Sequence, residues 1–279
     1  MILVSTSRGI YNLTSKEYAH ENEGVCFGLA KTEEANKTLF AAFRIGDHSG
    51  FSCDTRICSF DESLNLKNKF DIKGCEDVHG IEVFGDSIYI LSTKTNRIYQ
   101  TNFQGEVLKV HEGIPNCERS HMNTIKRHND RLLIICHRDS FDAQSCLYEF
   151  NPYSQETLCL SRFLGDHSHS ILYHQDRFWI CDSLNGRVFS VSKQHHVKNP
   201  DTSPQLETLN HIETEAIYLL RGLSTDEKFL YVGASAKAST AERHKGCDGG
   251  IVKMNKDTGE ILGEIVIPEC GQVNEILRY

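Results

Sequence analysis

The sequence predicts an all-β protein, a six-bladed β-propeller with four-stranded blades, on three observations. A short segment recurs five times: a polar or bulky residue, a small one and an aliphatic one, then a polar break and a hydrophobic run. The anchors that open it, Phe27, His79, Asn123, His169 and Arg221, lie 52, 44, 46 and 52 residues apart, a period typical of propeller blades. No stretch shows a sustained helical period of apolar residues, so each unit has to be built from short strands and turns.

Blade one opens on Phe27-Gly28-Leu29 and continues into Leu39-Phe40-Ala41-Ala42. In blade two, Asp77 to Phe84 reads as the inner strand, Ser87 to Thr93 as the next, then Arg97 to Phe103 and Glu106 to His111. Gly85-Asp86, Thr95-Asn96 and Gln104-Gly105 supply its turns. Blade three pairs Asn123-Thr124-Ile125 with Leu132 to Ile135. Blade four repeats the pattern as Ser168 to Tyr173, Arg177 to Asp182 and Gly186 to Ser192. Blade five runs from Arg221-Gly222-Leu223 through Phe229 to Val232 and Gly250 to Met254, and ends on Ile261 to Ile267. Two stretches, Asp47 to Cys58 and Lys193 to Thr214, are too long for hairpin turns and read as surface excursions at one mouth of the channel.

The repeat closes on itself. Asn274-Glu275-Ile276 matches His79-Gly80-Ile81, so the C-terminus supplies an inner strand with no continuation. Met1 to Ser5 and Gly9 to Leu13 read as the missing second and third strands. The expectation is one domain over 1–279 whose last blade is shared by the two termini, which removes free sheet edges. At 279 residues, six blades average 46.5 residues each.

Composition bounds the function. A net charge of −8 argues against a nucleic-acid partner, which calls for a basic face. No apolar run is long enough to span a bilayer, and no basic, apolar, small-residue leader precedes Ile2, so the reading is cytoplasmic without membrane attachment. Eleven cysteines without a CxxC pair read as reduced thiols, with Cys136 and Cys181 as small buried hydrophobes, and not as a zinc site.

The first strand of every blade lines the channel, so chemistry belongs there. Side chains two apart on a strand face the same way. If the anchors point inward, the layer reads Phe27, His79, Asn123, His169, Arg221 and Asn274, with Val25, Asp77, His121, His167, Leu219 and Gln272 beside it. His121 with Asn123, and His167 with His169, are pairs on one face, about 6–7 Å apart at Cα. Imidazoles at that spacing permit one divalent ion, Zn, Fe, Mn, Cu or Ni, with Ca the poorer fit, so His79, His121, His167 and His169 form the ligand pool. Asp77, Asn123, Asn274, Gln272 and Arg221 are candidate substrate contacts, Arg221 as a clamp for carboxylate or phosphate. The same residues also permit plainer roles: histidines bonded to water or backbone, and Arg221 in an ion pair with Asp77 or another channel acid. His137, Asp139 and Asp182 read as rim residues, with His137 a candidate base or an ordinary loop histidine. His195-His196 reads as solvated, and the echo of Gly46-Asp47-His48-Ser49 in Gly165-Asp166-His167-Ser168 as chance. No nucleophile elbow or phosphate-cradling glycine loop is present.

The units His79 to Val110 and Ser168 to Ser192 resemble blades of the six-bladed NHL, TolB and gluconolactonase-like propellers. In the gluconolactonase and paraoxonase branch an ion such as Ca²⁺ sits on Glu, Asn and Asp side chains, a pattern that Asn123, Asn274 and Asp77 match and the histidines do not. The streptogramin lyase propeller, which joins channel histidine chemistry to a metal, is similar in another way, and implies His79, His121 or His169 as a general base. Two functions follow as expectations. The first is a metal-dependent hydrolase or lyase acting on a small polar or anionic substrate, with His79, His121 and Arg221 catalytic. The second is a non-catalytic propeller that binds a protein partner, a peptide or a small metabolite.

Overall fold

The computed structural model describes residues 1–33, 37–46, 53–114, 121–137, 144–162, 164–192, 207–211, 218–236, 242 and 246–279. Its twenty-four strands form six four-stranded antiparallel sheets, the blades of a six-bladed β-propeller. Blade one is β4 (Val25–Lys31), β5 (Leu39–Ile45), β6 (Asp54–Phe60) and β7 (Leu66–Glu76). Blade two is β8 (Val78–Phe84), β9 (Ser87–Ser92), β10 (Arg97–Thr101) and β11 (Val107–Glu112). Blade three is β12 (His121–His128), β13 (Arg131–His137), β14 (Cys146–Phe150) and β15 (Thr157–Ser161). Blade four is β16 (Ser168–His174), β17 (Arg177–Asp182), β18 (Arg187–Ser192) and β19 (Glu207–His211). Blade five is β20 (Tyr218–Thr225), β21 (Phe229–Ala236), β22 (Gly249–Asn255) and β23 (Ile261–Ile267).

Blade six joins the termini, with β24 (Val273–Arg278) innermost, then β1 (Ile2–Thr6), β2 (Gly9–Asn12) and β3 (Glu17–Glu21). Val4 faces Ile276 across the seam, and the amide of Tyr279 donates to the carbonyl of Met1 at 2.9 Å. Both stretches read as long excursions contain strands instead. Asp54–Phe60 is the third strand of blade one, and Glu207–His211 is the fourth of blade four. The remainder of each, 47–52, 193–206 and 212–214, lies outside the described residues, as do Asp139, His48 and His195-His196.

The core sits between blades, where the apolar faces of neighbouring sheets meet. Tyr89, Leu91 and Ile98 of blade two pack with Met122, Ile134 and Phe150 of blade three, and Phe178 and Phe189 of blade four with Leu133 and Ile135 of blade three. Inner strands approach closely. A Cβ on Gly28 would lie 2.9 Å from the backbone nitrogen of Ile81, which is why this layer selects small residues. The ten described cysteines are free thiols, most of them buried. Among the described residues no helix is long and apolar enough to cross a membrane.

Candidate functional site

All six anchors, Phe27, His79, Asn123, His169, Arg221 and Asn274, line one axial cavity together with Thr124, Ser170 and Glu275. Its space for a water centre is about 10 Å³, enough for a single water. A larger hollow of about 620 Å³ outside blades one and two, floored by Phe40, Phe60 and Phe103, brings no imidazole or guanidinium, so chemistry favours the axis.

A bulge falls on every anchor except His169, which pairs with Cys181 while Ser170 after it is skipped. Cross-strand pairing jumps from Cys26 to Gly28, from Val78 to Gly80 and from Met122 to Thr124, leaving Phe27, His79 and Asn123 unpaired. The extra residue re-aims its side chain, so the strict two-residue alternation expected for this layer does not run through it. Asp77 and His167, just ahead of the bulge, take left-handed φ of 59° and 50°. Val25 and Leu219 are buried apolar residues.

Five imidazoles meet at this end of the channel. His79 packs edge-on against His121 with ring centroids 4.3 Å apart, and His121 stacks on His137 at 5.4 Å. His137 lies 4.9 Å from His167 and 4.8 Å from His169. Burial holds His79, His137 and His169 well below the ordinary imidazole pKa, and pushes His121 down to about 3. The charge of Arg221, which lines the cavity with His79 and His169, acts in the same direction on all four. Both causes favour the neutral form of His79, His121, His137 and His169.

Arg44 was not legible as a site residue. Its guanidinium stands 3.7 Å over the Phe27 ring, pairs with Asp77 Oδ1 at 2.8 Å and lies 2.8 Å from both ring nitrogens of His79, so it crosses the imidazole instead of meeting one lone pair. The partner of Asp77 is therefore Arg44, not Arg221. Burial raises the Asp77 carboxyl pKa and lowers that of Arg44, each opposed by the charge of the other.

Hydrogen bonding assigns two tautomers. His169 Nδ1 lies 2.6 Å from the His167 carbonyl and 2.8 Å from Ser183 Oγ, whose own proton goes to the Leu220 carbonyl at 2.5 Å. A carbonyl only accepts, so Nδ1 carries the hydrogen and Nε2 the lone pair. His79 repeats the arrangement with the Asp77 carbonyl at 3.2 Å and Thr93 Oγ1 at 2.8 Å, Thr93 donating to the Met122 carbonyl at 2.6 Å. The outcomes differ at Nε2. That of His169 is buried with no hydrogen-bond partner, and His169 lines the axial cavity.

The same bonds close the ring. The carbonyl just before an anchor accepts from the preceding blade at five junctions: Val78 from Arg44 Nε (3.0 Å), Met122 from Thr93, Ser168 from Asn123 Nδ2 (3.1 Å), Leu220 from Ser183, and Cys26 from Asn274 Nδ2 (2.8 Å). At the sixth, Ser235 Oγ accepts from Val273 N at 2.8 Å. Asn123 and Asn274, expected as substrate contacts, thus use their amides on the ring, and Gln272 Nε2 donates to Asn274 Oδ1 at 2.5 Å. A signal for four of these bonds existed: Arg44, Thr93, Ser183 and Ser235 each stand three residues after the central small or aliphatic residue of a second strand. His137, expected at the rim, is buried inside the cluster, 3.0 Å from Ser145 Oγ and 2.7 Å from Asn123 Nδ2. Asp182 is fully buried and binds Arg187 Nε at 2.8 Å, a role within its own blade.

The expected divalent ion finds no ready ligand set among the described residues. Among the described residues no three His, Cys, Asp or Glu side chains are placed to hold a metal. The Nδ1 atoms of His79 and His169 face carbonyls, and two guanidiniums repel a cation. His169, which lines the cavity, has an Nε2 without a hydrogen-bond partner.

No protein-family model and no curated protein sequence matches the chain. Solved structures do, at the level of the fold. A luciferin-regenerating enzyme is 13% identical with a TM-score of 0.66, over 99% of this chain and 82% of its own. A chain of a nidogen–laminin complex is 11% identical with a TM-score of 0.66, over 99% and 96%. The periplasmic gluconolactonase of Pseudomonas aeruginosa is 12% identical with a TM-score of 0.61, over 99% and 98%. These likenesses bear on the fold alone and agree with the six four-stranded blades. Two of the three are named as enzymes and the third as part of a protein complex.

Proposed function

We propose that the protein is an enzyme of hydrolase or lyase type that binds a small anionic substrate at the histidine-lined end of its channel. The observation that carries this reading is the pairing, in one cavity, of a partnerless buried Nε2 on His169 with the guanidinium of Arg221. The axial cavity as it stands admits one water, so Arg221 clamps a carboxylate or phosphate once side chains at the histidine-lined mouth move aside. Burial, with Arg221, keeps His169 neutral and able to accept a proton at its Nε2. An anion on Arg221 offsets the charge that depresses His169, so the base strengthens as substrate binds. The proton comes from a water that attacks an acyl carbon, or from a carbon beside an electron-withdrawing group in an elimination. His121 and His167, partly buried beside the cluster, border the approach. Arg44, held by Asp77, adds positive potential to a chain of net charge −8.

Titration of the histidine-labelled protein with phosphate and acetate at pH 7, followed by the imidazole resonances, tests the reading. A saturable shift of the His169 signals, lost in Arg221→Gln, supports it. No shift with either anion overturns it. Ester, lactone and elimination substrates carrying an anionic group then separate the two reaction types. A second reading, a non-catalytic scaffold for a protein or metabolite, is favoured by one observation: the amides of Asn123 and Asn274 are already used in ring closure.

A further inference from the structure

We infer that the hydroxyls of Thr124 and Ser170 are positioning groups that set the geometry of His169 against Arg221; the inference rests on the reading of those two residues as the working pair. The residue after each anchor is Gly28, Gly80, Thr124, Ser170, Gly222 and Glu275 around the ring. Close approach of the inner strands favours a small residue here, and only blades three and four supply a hydroxyl.

Those two hydroxyls each bind the next blade. Thr124 Oγ1 accepts from the amide of Ser170 at 2.9 Å, and Ser170 Oγ accepts from the amide of Gly222 at 2.7 Å. Together with the bonds to the carbonyls, they hold two anchors from both sides. Before His169, the Ser168 carbonyl accepts from Asn123 Nδ2; after it, the Ser170 amide is held by Thr124. Before Arg221, the Leu220 carbonyl accepts from Ser183; after it, the Gly222 amide is held by Ser170. Blade three thus fixes His169, and blade four, which carries His169, fixes Arg221. Among the described residues, each of the other four junctions shows one such bond.

This doubling singles out the two anchors assigned to proton transfer and anion binding. A peptide held at both ends cannot rotate about its neighbouring bonds, so the side chain it carries is preorganised. Ser170 itself takes φ of 56°, a left-handed conformation uncommon for a serine, and its hydroxyl meets the Gly222 amide from there.

The test compares Thr124→Val and Ser170→Ala, which remove only the hydroxyl function, with Ser235→Ala, which removes the latch between blades five and six, on the far side of Arg221 from His169 and bonded to neither residue. Thermal stability, phosphate affinity and the His169 imidazole ¹⁵N signals are measured for each, and Thr124→Ser serves as the conservative rescue. A positioning role predicts similar losses of stability for all three. Only Thr124→Val and Ser170→Ala should shift the His169 signals and weaken phosphate by about fivefold, the loss of one hydrogen bond's worth of alignment. Thr124→Ser should restore both. Unchanged His169 signals in Thr124→Val and Ser170→Ala, equal changes in Ser235→Ala, or no rescue by Thr124→Ser overturns the inference. If the parent itself binds no phosphate, the anion reading fails, while the ¹⁵N signals still decide the positioning role.

Discussion

Ser183 Oγ sits 2.8 Å from Nδ1 of His169 and gives its own proton to the carbonyl of Leu220. One hydroxyl therefore joins the imidazole of one blade to the peptide that precedes the guanidinium of the next. Thr93 does the same between His79 and Met122, so the device is repeated two blades apart. The two histidines differ in that Arg44 lies against the ring of His79, whereas Nε2 of His169 has no hydrogen-bond partner.

Removing the clamp should remove the site without removing the fold. Arg221→Gln is expected to weaken phosphate by at least about tenfold, as the loss of a charge-assisted contact worth about 1.5–3 kcal/mol requires. Calorimetric titration of the variant against the parent measures it.

Acid should unfold this protein early. His79, His121, His137 and His169 are buried with depressed pKa values, so the unfolded chain binds protons that the folded one refuses. Stability is full above the unfolded histidine value near 6.5 and is lost as pH falls below it. Each ring steepens the slope by up to about 1.4 kcal/mol per pH unit. Urea midpoints between pH 7 and 4.5 should decline steadily, and His137→Gln should flatten the decline.

Chelation should be without effect. Since no ligand set forms among the described residues, EDTA treatment is expected to leave the melting temperature and the phosphate affinity unchanged. A tightly bound ion would instead stabilise the native state by mass action, so a fall in melting temperature on chelation would restore the metal reading.

Ring closure should depend on single amides. Asn274→Ala leaves the Cys26 carbonyl without its 2.8 Å donor, at a cost of about 1–3 kcal/mol. Gly28→Ala forces a Cβ to 2.9 Å from the Ile81 nitrogen, and about 1–3 kcal/mol of strain follows. Denaturant unfolding of both variants checks the figures.

The architecture was legible because a blade repeats: a periodic signal survives even where its residues vary. The match of Asn274-Glu275-Ile276 to His79-Gly80-Ile81 was enough to place the seam. The six anchors were legible for the same reason, and all six line the cavity. What spacing along one strand could not give was contact between strands. Arg44 reaches Asp77 and His79 from the neighbouring blade, and His137 enters the cluster from a second strand. The strands Asp54–Phe60 and Glu207–His211 were hidden inside long polar connections, where alternation is weak.

The seam between β24 and β1 fixes the order of assembly. During synthesis the first two strands emerge with their innermost partner still some 270 residues from being made, and blade six has to wait for it. Blades one to five can stack as each is completed, but the axis becomes a closed tube only with the last strand. Met1 and Tyr279 bond to each other across the seam, so a chain in which these two residues are linked and the Gly85-Asp86 turn is opened would trace the same circle from a different starting point. In that permuted chain the seam would fall within blade two, and the blade that now finishes last would fold in mid-sequence.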